Sequence, residues 1–100
     1  MMDVETFSFD STAEQAVELA NRVTDEHPEA DLWDIADGLL AGAVHFWLYS
    51  RQPCDDPMCE DCAPLCTAKL REAELRKLVQ QFAEESDYYE SPTDTNIARA

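Results

Sequence analysis

Residues 31–50 read DLWDIADGLLAGAVHFWLYS, and the spacing of their apolar side chains decides the fold class. Apolar residues recur every three or four positions, as they do along one side of an α-helix. Asp31 stands where an N-cap is expected, and Asp34 follows where a carboxylate complements the exposed amides of a first turn. The pattern predicts a helix over about 31–50, here called helix two. Its second half is apolar nearly all round, so we expect this half to be buried in a core or against a partner.

Two further helices flank helix two. Ser11 is followed three residues later by Glu14, a spacing typical of a capping box, and an apolar stripe begins at the same point. This pattern predicts helix one over about 11–25. Thr67 is the expected N-cap of helix three, over about 67–86, whose apolar residues again recur at helical spacing.

The order of these segments predicts the architecture. Glycine occurs only twice and strand-like alternation is scarce, so the fold class is all-α. Short connections favour a small three-helix bundle with a cysteine-rich loop between helices two and three. We expect a single helical domain over residues 1–86 and a polar C-terminal tail, extended or disordered, over residues 87–100. The bases of helix three are expected to pair with neighbouring acids on its surface. These bases are Lys69, Arg71, Arg76 and Lys77.

Charge is the most informative bulk property of the chain. It has 22 acids against 7 bases, a formal net charge of −15, while a hydrophobic content of 45% is ordinary for a globular protein. Such a surface repels nucleic acid and attracts basic partners, so direct DNA binding is not expected. No Lys or Arg lies between Arg22 and Arg51. Salt adaptation would also produce an acidic surface, but four cysteines in so short a chain fit it poorly.

The acids of that segment predict a partner-binding surface. Asp31, Asp34 and Asp37 recur every three residues, a rise of about 4.5 Å along a helix. DNA presents one phosphate per roughly 3.4 Å of axis on each strand, so the row offers a phosphate-like series to a basic groove. A merely solvated acidic face is the alternative. Aromatic residues nearby favour an interface, namely Trp33, Phe46, Trp47 and Tyr49. The candidate partner-binding residues are Glu26, Glu29, Asp31, Trp33, Asp34 and Asp37.

Four cysteines follow helix two in the stretch CDDPMCEDCAPLC, residues 54–66. Their spacing is C-x4-C-x2-C-x3-C, which allows four thiolates to surround Zn²⁺ and would fix the angle between helices two and three. The candidate metal ligands are therefore Cys54, Cys59, Cys62 and Cys66. Packed or exposed thiols, a disulfide and an iron–sulfur cluster are the other hypotheses for these residues. Neighbouring carboxylates oppose an accumulation of thiolates.

Other features argue for a non-enzymatic cytoplasmic protein. No nucleophile elbow, glycine-rich loop or phosphate cradle is present, so we expect no enzymatic activity. The N-terminus lacks a signal pattern, and the uncharged run 38–50 is too short to span a bilayer. Gly38 and Gly42 allow close approach of another helix. Tight packing within the chain is favoured over a dimer seam, and a monomer is expected.

With the segment ETFSFDSTAEQAVELANRVTDEHPEADLWDIADGL (5–39) and the cysteine loop both considered, the chain resembles the small acidic phage-encoded anti-CRISPR proteins, inhibitors of the type I-F surveillance complex. The likeness lies in size, helical pattern and charge along the whole chain, and it assigns no individual residue. It implies a non-enzymatic inhibitor that acts in the host cytoplasm. Such an inhibitor binds the CRISPR RNA-guided complex and blocks target DNA by occupying a basic nucleic-acid-binding surface.

A second hypothesis comes from the residues alone. A zinc-stabilised helical adaptor or regulatory protein would use the apolar end of helix two to bind a partner or a second copy of itself. A redox-responsive thiol protein is a third, minor interpretation of the cysteine loop.

Overall fold

The computed structural model describes residues 8–54, 58–60 and 63–94, and all regular secondary structure in these ranges is helical. Helix α1 comprises Phe9–Glu26, α2 comprises Leu32–Ser50 and α3 comprises Ala68–Glu85. A short 3-10 helix, Ala63–Leu65, precedes α3. The all-α prediction is therefore confirmed, whereas the packing of the three long helices as a bundle stays a prediction.

Helix α1 begins two residues earlier than the sequence predicts. Its N-cap is Ser8, whose backbone is extended and whose carbonyl accepts a hydrogen bond from the Thr12 N–H at 3.0 Å. The prediction that Ser11 caps this helix was wrong. Phe9 extends the apolar stripe by one turn, and Asp10 places a favourable carboxylate in the first turn. The helix therefore extends back to its cap at Ser8.

Helices α2 and α3 begin at the predicted caps. A carboxylate oxygen of Asp31 accepts a hydrogen bond from the Trp33 N–H at 3.1 Å. The hydroxyl oxygen of Thr67 accepts one from the Leu70 N–H at the same distance, 3.1 Å. Both side chains thus satisfy an amide that the helix itself leaves without a partner.

The chain divides into two compact units, Met1–Tyr49 and Ser50–Ala100. In the first unit, a short turn connects α1 to α2, with the His27 N–H bonded to the Val23 carbonyl and the Ala30 N–H to the His27 carbonyl, both at 3.0 Å. The prediction of one helical domain over residues 1–86 stays a prediction.

In the second unit, α3 packs against the 3-10 helix. The Arg71 guanidinium donates a hydrogen bond to the Leu65 carbonyl at 2.9 Å and ties the two elements together. Arg76 pairs with Glu72 at 2.8 Å and Lys77 with Glu74 at 3.5 Å, which confirms the predicted surface pairing for these two bases.

The C-terminal tail is described as far as residue 94, and this part is a turn followed by helical residues at 92–94 rather than an extended strap. The Tyr89 N–H bonds to the Ser86 carbonyl at 3.1 Å, and the Asp94 N–H bonds to the Ser91 carbonyl at 3.0 Å. The last six residues of the predicted tail, 95–100, lie outside the described residues.

None of the described residues is fully buried; the best-covered apolar side chains are half-buried. In α2 these are Ile35, Leu39, Val44, Trp47 and Leu48. Gly38 and Gly42 face open space, because a Cβ atom built on either would meet no atom within 4 Å. The expected tight packing of these glycines within the chain is therefore not seen among the described residues. No helix in this part of the chain is long and apolar enough to cross a membrane.

Candidate partner-binding surface

The end of α1, the turn and the first two turns of α2 form a continuous acidic region, residues 25–37, within the first unit. We call this region the acidic end. Glu26 is the last residue of α1, Glu29 lies in the turn and Asp31 caps α2, while Asp34 and Asp37 follow on α2 itself. All five carboxylates are exposed. The structure thus places these predicted residues on consecutive elements of one unit.

Trp33 is the aromatic member of the acidic end, and 79% of its surface is exposed. It precedes Asp37 by four residues on α2, so the two side chains are neighbours on the helix surface. An arginine guanidinium can bind a carboxylate through two hydrogen bonds and also stack on an indole ring. The pairing of Trp33 with Asp37 is therefore suited to an arginine from a partner.

The electrostatics of the acidic end are unfavourable where α1 finishes. Asp25 and Glu26 occupy the last turn of α1, which contains no base. Carboxylates at this end oppose the helix dipole, an effect of about 0.3–1 kcal/mol for each charge. Within residues 8–49, the His27 imidazole lies 3.6 Å from the Glu29 carboxylate at this end, an exposed contact that is an ion pair only when the imidazole is protonated. Cations from a partner would relieve this repulsion, whereas Asp34, in the first turn of α2, is already favourably placed.

The cysteine loop is described only in part. Cys54 and Cys66 are exposed and Cys59 is half-buried, while Cys62 lies outside the described residues. Within the described ranges, no group of three or more Cys, His, Asp or Glu residues is placed to hold a metal ion. Thiolates remain the donors that zinc prefers, so the four-cysteine zinc site stays a prediction.

A second exposed surface lies at the C-terminal end of α2. Phe46 and Tyr49 are 67% and 70% exposed, and their ring centroids are 5.9 Å apart. The sequence indicates that this end is apolar, but periodicity alone does not reveal which side of it is left uncovered. The spacing in the sequence identifies this side. Phe46 and Tyr49 each follow Gly38 and Gly42 by close to a whole number of helical turns, so all four lie on the same side of α2.

No protein-family model matches the chain, and comparisons with curated proteins and with solved structures find no match.

Proposed function

We propose that this protein is a non-enzymatic acidic inhibitor. It binds a CRISPR RNA-guided surveillance complex and blocks target DNA by occupying a basic nucleic-acid-binding surface. The observation that carries the proposal is the acidic end: five exposed carboxylates around an exposed tryptophan, in a unit whose only Lys or Arg is Arg22. The resemblance of the whole chain to anti-CRISPR proteins supplies the class of target.

The proposed mechanism is electrostatic competition. The acidic field accelerates encounter with a positively charged groove, and ion pairs from Asp31, Asp34 and Asp37 then replace the phosphates of target DNA. Trp33 provides an aromatic anchor that loses its bound water when the complex forms, which carboxylates by themselves do not provide. The carboxylates at the end of α1 are destabilising in the free protein, where the last turn of the helix contains no base. Binding supplies cations there, which relieves the repulsion and favours the complex.

The finer architecture belongs to the same proposal. The three long helices form a small bundle that holds the acidic end rigid, and a rigid surface loses less entropy on binding. Zinc held by Cys54, Cys59, Cys62 and Cys66 closes the loop between α2 and α3. In this role the metal stabilises the fold and takes no part in chemistry.

Competition for a purified surveillance complex, with labelled target DNA as the reporter, tests the proposal. The variant D31N/D34N/D37N removes three charges and keeps the helix intact, since Asn caps a helix as well as Asp does. We expect its inhibition constant to rise at least about tenfold, which corresponds to about 1.4 kcal/mol. The matched control is E84Q/E85Q/D87N, which makes the same change in net charge at the end of α3.

Two outcomes would contradict the proposal. Equal losses in the two triple variants would show that overall charge acts rather than the acidic end. Inhibition that is unchanged from low to high ionic strength would rule out competition through ion pairs, since exposed charges are screened by salt.

The exposed aromatic end of α2 favours a second candidate function, the zinc-stabilised adaptor that binds a partner through this helix. A pull-down from lysate with the wild type and two variants separates the two functions, and elemental analysis of the same purified sample tests the zinc that both would contain. An adaptor keeps its partner in the D31N/D34N/D37N variant and loses it in F46A. The inhibitor shows the opposite pattern.

A further inference from the structure

We draw no further inference here: the strongest candidate, the exposed aromatic patch of Phe46 and Tyr49 at the C-terminal end of α2, carries nothing because nothing in the described structure shows what covers it.

Discussion

At the scale of single residues, the three helix caps differ in what their side chains do. Asp31 and Thr67 each accept a hydrogen bond from a first-turn amide, whereas the Ser8 side chain makes no cap hydrogen bond. We expect D31A and T67A to lower the free energy of unfolding by about 1 kcal/mol each. S8A should change it much less. Urea denaturation followed by circular dichroism measures all three, and an equal loss in S8A and D31A would contradict the assignment.

Substitution of Glu26 is predicted to raise the free energy of unfolding rather than to lower it. Its carboxylate lies in the last turn of α1, where the helix dipole disfavours negative charge and no base is present. We therefore expect E26Q to raise the free energy of unfolding by about 0.3–1 kcal/mol and to weaken binding to the basic partner. E14Q, nearer the start of the same helix, is the matched control and should not stabilise the protein. A loss of stability in E26Q would mean that the carboxylate has a favourable contact within the chain.

At the scale of elements, α3 contains two arginines with different partners. Arg71 donates to a backbone carbonyl of the 3-10 helix from a half-buried position, while Arg76 pairs with Glu72 on the helix surface. Exposed pairs contribute about 0.2–0.5 kcal/mol, but a hydrogen bond from a charged donor contributes about 1.5–3 kcal/mol. We expect R71M to lower stability by at least about 1 kcal/mol more than R76M. Urea denaturation of the two variants checks this, and equal losses would show that Arg71 does not hold the 3-10 helix.

The elements also show how far the sequence could predict the structure. The starts of α2 and α3 could be predicted because Asp31 and Thr67 act on amides only two or three residues away. The capping spacing at Ser11 predicts the wrong start for α1, because Phe9, one turn before Ala13, extends the apolar stripe and the helix begins at Phe9. The exposure of the acidic end could be predicted, because a carboxylate is almost never buried unless a positive charge pairs with it. What covers the exposed aromatic end of α2 depends on surfaces distant in sequence or in another molecule, which local periodicity does not encode.

At the scale of the whole molecule, the question is what stabilises the chain. None of its described residues is fully buried, so burial of apolar side chains contributes less than in a domain with a closed core. A bound partner and a structural metal can each add stability, because ligands that bind only the folded state favour it. These two contributions are separable, since they depend on partner concentration and zinc activity respectively.

Zinc is the contribution that can be removed without changing the sequence. If the four cysteines hold zinc, the free energy of metal binding adds directly to the free energy of folding. We then expect one zinc per chain by elemental analysis, and a chelator should lower the melting temperature measured by circular dichroism. C59S should behave like the chelated protein, and H45Q should retain its metal, because His45 lies on α2 outside the cysteine loop. A metal-free protein that melts at the same temperature with and without chelator would contradict the zinc site.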